Sequence, residues 1–104
     1  MSSRILLVED EENIRDLVRL NLELEGYEVV WTDNGRDAFK LFNGQHFDLL
    51  ILDWNLPDGE GIEVAQKARG SNLEVPILML TAKVEVEDRK KALEIGVNDF
   101  LGKP

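Results

Sequence analysis

The sequence contains no cysteine, a single histidine (His46) and no hydrophobic run longer than four residues. Without cysteine the chain forms no disulfide, thiol nucleophile or thiolate zinc site, and one histidine cannot build a His-rich zinc centre. A transmembrane helix needs roughly 20 apolar residues, and the acids after Val8 do not fit a signal peptide. We therefore expect a cytoplasmic protein without membrane association, in which oxygen atoms hold any bound metal.

Basic residues are also scarce. The chain has 12 Lys and Arg against 21 Asp and Glu, so that its formal net charge is -9. Such a domain repels the phosphates of nucleic acids and anionic lipids, and we expect no direct nucleic-acid binding by it. Its 104 residues, 43% of them hydrophobic, suffice for one domain with its own core and exclude a second full domain.

Five strands and four helices alternate in the pattern of hydrophobic residues. The short aliphatic runs 5–8, 49–52 and 77–80 are typical of strands buried on both faces, and hence of a parallel sheet. Two further strands are predicted at 27–32 and 99–101. Four helices are predicted. The first spans 11–24 and is closed by Gly26, the second follows Asn34-Gly35, the third spans 62–69, and the fourth spans 85–95 and is closed by Gly96. The turn-forming residues 55–61 predict a loop, and the whole order predicts a doubly wound α/β fold.

Polar side chains follow four of these strands, at the edge where functional groups of open parallel sheets gather. They are Glu9, Asp10 and Glu11 after the first strand, Asp53 after the third, Thr81 after the fourth and Lys103 after the fifth. Acids in a first helical turn are usually only solvated, and Thr81 or Lys103 alone has an ordinary structural explanation. Asp53 ends an aliphatic strand, where an unneutralised charge is costly, and the coincidence of all four strand ends favours a functional site.

Carboxylates at neighbouring strand ends repel one another. The repulsion energy of two unit charges about 4 Å apart is about 4 kcal/mol at an effective dielectric of 20, so that a positive group is needed. Mg²⁺ fits best, because it takes one or two carboxylates and keeps its remaining positions for water or phosphate. With Lys103 and the Thr81 hydroxyl, this set resembles the groups used in phosphoryl transfer, and the carboxylate can itself be the nucleophile.

The motifs, taken in order, resemble the receiver domain of bacterial two-component response regulators. They are Glu9-Asp10-Glu11, Asp53, Leu56-Pro57-Asp58-Gly59, Thr81-Ala82 and Lys103-Pro104, each after the appropriate predicted element. The resemblance runs from Arg4 to Pro104. It implies a flavodoxin-like, doubly wound five-stranded parallel sheet with strand order 2-1-3-4-5.

The resemblance also implies a role for each matching residue. Asp53 accepts a phosphoryl group from a phosphohistidine on a sensor histidine kinase. Asp10, Asp53 and the backbone carbonyl of Asn55 bind Mg²⁺, for which Mn²⁺ can substitute, and Glu9 acts through water. Glu9 stands where the family more commonly has Asp. Lys103 pairs with the phosphoryl group, and its bond to Pro104 is expected to be cis.

Two further residues match the family's switch. Thr81 turns toward the phosphoryl group and Phe100 then moves inward, with phenylalanine in the place of the more usual tyrosine. Asn55 and Lys83 match the positions that tune hydrolysis of the aspartyl phosphate. The domain thus catalyses its own phosphorylation and dephosphorylation and is not a turnover enzyme.

The chain ends at Pro104, where the family continues into a final helix. We therefore expect residues 1–104 to be a receiver domain truncated after the fifth strand, without that helix. In the family an output domain, often DNA-binding, can follow, and the domain can form homodimers.

Three alternatives stay open at this stage. An FMN carrier shares the fold, but Glu9 to Glu12 would repel its phosphate. An aspartate-based phosphatase shares the nucleophile, but has an acid where this chain has Asn55. A degenerate receiver used only for interaction would show no response to Mg²⁺.

Overall fold

The fold alternates strands and helices as predicted. The computed structural model describes residues 3–71, 74–81 and 86–103. The elements are β1 Arg4–Val8, α1 Glu12–Leu24, β2 Glu28–Thr32, α2 Gly35–Gly44, β3 Leu49–Asp53, β4 Asn55–Leu56, β5 Gly59–Glu60, α3 Gly61–Gly70, β6 Ile77–Thr81, α4 Val86–Ile95 and β7 Asp99–Gly102. Five strands form one parallel sheet in the order β2-β1-β3-β6-β7, which is the order 2-1-3-4-5 that the resemblance implies.

The sheet carries a hydrophobic core on each face, because alternate residues of a strand point to opposite sides. On one face, apolar side chains of β1, β3 and β6 pack against α2, α3 and α4, where Ala38, Ala65, Ala68 and Ala92 allow close helix contact. On the other face, Ile5, Leu7, Ile51 and Leu80 form a smaller core. The central strands are thus buried on both sides, as their unbroken aliphatic runs predict.

Helix α1 covers the smaller core with the half-buried Val18 and Leu22. None of its residues is fully buried, and Leu17, Leu20 and Leu24 are 47%, 56% and 75% exposed. These three leucines follow one another at helical spacing and form an apolar stripe on the surface. Within the described parts of the chain, no helix is both long and apolar enough to span a bilayer.

The predicted helix ends are confirmed, with small shifts at several boundaries. Gly26 and Gly96 adopt φ values of +94° and +118°, a region that glycine enters without the strain of a Cβ atom. Helix α1 begins one residue later than predicted, because Glu11 is its N-cap in an extended conformation. Strand β2 also begins one residue later, and α3 extends from Gly61 to Gly70. Residues 82–85 and 104, which include Ala82, Lys83 and the predicted cis bond to Pro104, lie outside the described residues.

The segment predicted as a simple loop after β3 is a short hairpin. Strands β4 and β5 pair in antiparallel fashion, with Asn55 opposite Glu60 and Leu56 opposite Gly59. At its turn, the Asp58 carboxylate accepts hydrogen bonds of 2.8 and 2.9 Å from the backbone N–H groups that begin α2. The hairpin therefore supplies part of the N-cap of a helix 22 residues earlier in the chain.

This cap predicts a pH-dependent contribution of Asp58 to stability. The hydrogen bond from the Gly35 N–H, together with that from Arg36, holds the pKa of Asp58 below its ordinary value. Since the folded pKa is depressed, the contribution is complete above the ordinary pKa of about 3.9 and is lost as pH falls through the folded pKa. We expect Asp58→Ala to lower the free energy of unfolding by about 1 kcal/mol at pH 7, as for other N-caps.

Urea unfolding of both proteins between pH 7 and pH 3 measures this difference. Asp37→Ala is the control, because it removes an acid from the same helical turn without removing an acceptor of backbone hydrogen bonds. We expect it to cost less than half as much. A difference between wild type and Asp58→Ala that stays constant down to pH 3 would contradict the capping role.

Candidate functional site

The carboxyl ends of β1 and β3 bring three acidic side chains together. Asp53 is the last residue of β3, and Glu9 and Asp10 follow β1, its neighbour in the sheet. Carboxylate oxygens of these three residues lie within 4.8 Å of one another. Glu9 and Asp53 are buried, whereas Asp10 is exposed. The structure thus brings the predicted acids into one cluster that opens to solvent at Asp10.

Lys103 reaches this cluster from the end of β7. Its Nζ atom donates hydrogen bonds to Glu11 Oε1 at 2.9 Å and to Asp53 Oδ2 at 3.1 Å. It also lies 3.1 Å from Glu9 Oε1, although this contact lacks hydrogen-bond geometry. The Lys103 side chain is only 8% exposed. The predicted convergence of Lys103 with the acids is therefore confirmed.

Burial makes the charges of this cluster unfavourable. Burial, followed by the neighbouring Asp53 carboxylate, raises the pKa of Glu9 to about 7. The pKa of Asp53 is also raised, since the cost of burial exceeds the favourable effects of its contacts with Glu9 and Lys103. For Lys103, burial lowers the pKa, but hydrogen bonds to Glu11 and Asp53 raise it by more. The lysine is thus a permanent cation, and the acids still carry more negative charge than it neutralises.

The predicted switch residues lie in β6 and β7, the two strands on the side of β3 away from β1. Thr81 is the buried last residue of β6, which pairs with β3 on one side and with β7 on the other. Its backbone carbonyl accepts a 2.9 Å hydrogen bond from the Lys103 N–H. Phe100 lies in β7 opposite Met79, half-buried, with the Arg89 guanidinium 5.6 Å from the centre of its ring. Phe100 thus lies in the strand that leads to Lys103, and Thr81 ends the strand paired with it.

For the other predicted residues the structure shows a position but no contact that bears on their predicted roles, or does not describe them. Asn55 is exposed in β4, two residues beyond Asp53, and the binding of a cation by its carbonyl stays a prediction. The water-mediated role of Glu9 and the tuning role of Asn55 also stay predictions. Lys83 lies outside the described residues.

Sequence reasoning assigned no role to two residues that the structure places at the site. Glu11 was grouped with the acids of a first helical turn, but its carboxylate contacts Lys103. Gly61 begins α3 and donates a 2.7 Å hydrogen bond to the carbonyl of Trp54. A Cβ atom at Gly61 would overlap the Asp53 carbonyl oxygen and lie 3.1 Å from Met79 Cε. The only sequence signal was the position of a glycine at the end of the turn-rich segment.

A doubly wound α/β domain with a buried aspartate, two further acids and a lysine at one edge of the sheet has the features of an aspartate phosphoacceptor domain. The comparisons with known proteins identify the family. The sequence profile of the response regulator receiver domain matches residues 5–104, and the chain belongs to this family. Members of this family act in two-component signalling, in which a histidine kinase phosphorylates an aspartate of the receiver.

Individual relatives agree with this assignment. The alkaline phosphatase synthesis transcriptional regulatory protein PhoP of Bacillus subtilis is 44% identical over 104 residues, which is all of this chain and 43% of PhoP. A CheY-like receiver domain structure from Methanospirillum hungatei superposes with a TM-score of 0.94 at 31% identity, covering 100% of this chain and 83% of that one.

The receiver domain of the Pseudomonas aeruginosa sensor kinase PA1611 superposes with a TM-score of 0.89 at 32% identity. The match covers 100% of this chain and 87% of that one, and that structure is described with magnesium coordinated in the active-site cleft. The chain spans less than half the length of the curated relatives that it matches. Family membership favours the receiver over the flavin carrier and the phosphatase.

Proposed function

We propose that Asp53 is the phosphoacceptor of an Mg²⁺-dependent signalling switch whose donor is a phosphohistidine of a sensor histidine kinase. The observation that carries this proposal is the cluster itself, in which a buried carboxylate at a strand end faces Lys103 and two further acids. A buried aspartate of this kind has no packing advantage over an apolar residue, and its presence beside a buried lysine favours a chemical role.

The donor set fits Mg²⁺. Glu9 Oε1 is a fully buried carboxylate oxygen without a hydrogen-bond partner among the described residues, and the three clustered acids exceed the charge of the single lysine. We propose Asp10, Asp53 and the Asn55 carbonyl as direct ligands and Glu9 as a ligand through water, with Mn²⁺ able to substitute. When bound, Mg²⁺ neutralises the carboxylates and the phosphoryl oxygens, as a hard cation does in other phosphoryl-transfer sites.

The transfer forms one bond and breaks another. A carboxylate oxygen of Asp53 attacks phosphorus, and the bond between phosphorus and the donor imidazole breaks, with its electron pair leaving on the nitrogen. Lys103 keeps its ammonium charge and offers its donors to a phosphoryl oxygen. Because Lys103 already lies 3.1 Å from Asp53 Oδ2, little rearrangement is needed to reach a group attached to that carboxylate.

The new charge of about -2 then reorganises the adjacent strands. The Thr81 hydroxyl turns toward the phosphoryl group. The hydrogen bond from the Lys103 N–H to the Thr81 carbonyl couples β6 to the end of β7. Phe100 repacks in response. Two or three charge-assisted hydrogen bonds of about 1.5–3 kcal/mol each supply the roughly 5.5 kcal/mol that shifts a two-state population from 1:99 to 99:1.

The proposal also covers the protein to which this domain belongs. We propose that residues 1–104 are the receiver part of a longer, cytoplasmic transcriptional regulator with a C-terminal DNA-binding output domain. PhoP and SrrA carry names of transcriptional regulatory proteins and are more than twice as long as this chain. A further helix covering the sheet beside α1, and homodimer formation, would bury the exposed leucine stripe of α1. The domain turns over no substrate other than its own phosphoryl group.

Tryptophan fluorescence tests the proposed site, because Trp54 directly follows Asp53 and is half-buried. We expect a saturable change on addition of Mg²⁺ and a second on addition of beryllofluoride, a mimic of the phosphoryl group. Asp53→Asn is expected to abolish the second. The variant Trp31→Phe isolates the signal of Trp54, since the chain has two tryptophans. A folded wild-type domain that responds to neither addition would favour an interaction module without phosphoacceptor activity.

A further inference from the structure

The Lys103 ammonium contacts three carboxylates and donates hydrogen bonds to two of them before any phosphoryl group arrives. Its Nζ atom lies 2.9 Å from Glu11 Oε1, 3.1 Å from Asp53 Oδ2 and 3.1 Å from Glu9 Oε1. An ammonium group has three N–H donors and no more. Two of these donors already bind Glu11 and Asp53, and a phosphoryl oxygen on Asp53 therefore competes with the neighbouring carboxylates for Lys103.

The three carboxylates differ in their freedom to give way. The side chains of Glu9 and Asp53 are 0% and 3% exposed, so that neither can exchange its contact for water. The Glu11 side chain is 58% exposed and can turn into solvent. Its backbone stays fixed meanwhile, because Glu11 is the N-cap of α1 and its N–H donates a 3.1 Å hydrogen bond to Glu9 Oε2.

We propose that Glu11 is a positioning residue that holds Lys103 beside Asp53 in the unphosphorylated domain and yields it to the phosphoryl group. Glu11 and the phosphoryl oxygen compete for the same ammonium, so that Glu11 sets the affinity of the domain for a phosphoryl group. This inference rests on the proposed phosphoacceptor function. It adds a residue from the start of α1 to the groups that control the phosphorylated state.

The proposal predicts tighter binding of a phosphoryl mimic when Glu11 is changed. We expect Glu11→Gln to lower the dissociation constant for beryllofluoride, at saturating Mg²⁺, by about two- to fivefold, which is the range for removing one exposed ion pair. Glu11→Asp should give a change in the same direction, because it keeps the charge but shortens the side chain by a methylene group and loses the reach to Lys103. The titration follows Trp54 fluorescence.

Glu12→Gln is the matched control. Glu12 is the next residue, is also an exposed acid at the start of α1, and has no contact with Lys103 among the described ion pairs. We expect it to change the dissociation constant by less than about 1.5-fold at 0.15 M salt, where exposed charges beyond about 8 Å are largely screened. Equal effects of Glu11→Gln and Glu12→Gln would reduce the role of Glu11 to general charge and overturn the proposal.

A double-mutant cycle with Lys103→Ala tests whether Glu11 acts through the lysine. In that background Glu11→Gln should no longer change beryllofluoride affinity. An undiminished effect there, or weaker binding by Glu11→Gln alone, would overturn the proposal. If Lys103→Ala does not fold, the proposal is tested by the beryllofluoride dissociation constants of Glu11→Gln, Glu11→Asp and Glu12→Gln. Failure of wild type to bind beryllofluoride would instead refute the phosphoacceptor function.

Discussion

Asp53→Asn is expected to abolish covalent phosphorylation of the domain. Incubation of wild type with acetyl phosphate and Mg²⁺ should add about 80 Da, the mass of HPO₃, to the intact protein. In the proposed reaction the carboxylate of Asp53 attacks phosphorus, the phosphorus–oxygen bond of the donor breaks, and acetate leaves. An amide at this position has no comparable nucleophile and cannot form the mixed anhydride.

Intact-mass spectrometry measures this outcome with and without Mg²⁺. Glu12→Gln is a useful control, because it removes one acid near the site without touching the clustered residues and should be phosphorylated like wild type. Circular dichroism of Asp53→Asn shows whether the fold persists, which we expect for a substitution of equal shape. An addition of about 80 Da to Asp53→Asn would assign the phosphoryl group to another residue, such as Asp10.

Gly61→Ala is expected to destabilise the fold by about 3 kcal/mol, the upper part of the usual range for overpacking. A Cβ atom there would overlap the backbone carbonyl of Asp53, and Met79 Cε closes the remaining space at 3.1 Å. The carbonyl cannot move easily, because it belongs to a central strand with neighbours on both sides. For a domain of about this size the corresponding fall in melting temperature is about 12 °C or more.

Gly70→Ala is the matched control at the other end of α3. Among the described residues, apart from its chain neighbours and the backbone of its own helix, no atom lies within 4 Å of the Cβ that this change would add. Alanine is favoured over glycine in a helix, so that Gly70→Ala should leave stability unchanged or raise it slightly. Thermal unfolding of the two variants beside wild type measures the difference. Equal melting temperatures for both variants would show that the contact at Gly61 relaxes without cost.

The fold could be predicted from the sequence because its strongest signals are local. The aliphatic runs of β1, β3 and β6 and the two glycines that end α1 and α4 mark elements without reference to the rest of the chain. The order of the strands came from the family resemblance. The hairpin of β4 and β5 was missed, because its two-residue strands are shorter than any periodic pattern. The capping of α2 by Asp58 joins residues 22 or 23 apart and leaves no local trace.

The candidate site was predicted in outline for a different reason. A parallel sheet gathers the ends of its strands at one edge, so that Glu9, Asp10, Asp53 and Lys103 meet as soon as the strand order is known. The contact of Glu11 with Lys103 depends on the exact start of α1 and on the direction of a long side chain. The lack of space at Gly61 likewise depends on the approach of α3 to β3. Neither can be derived from residue types and spacing.

Glu11 and Lys103 lie 92 positions apart, and Asp53 and Lys103 lie 50 apart. Contacts of such long sequence separation form only after much of the chain has been ordered. During synthesis, β7 leaves the ribosome after every other strand of the sheet. A nascent chain can therefore expose Asp53 long before Lys103 has been made, and the proposed phosphoacceptor site is complete only when the last strand of the sheet has formed.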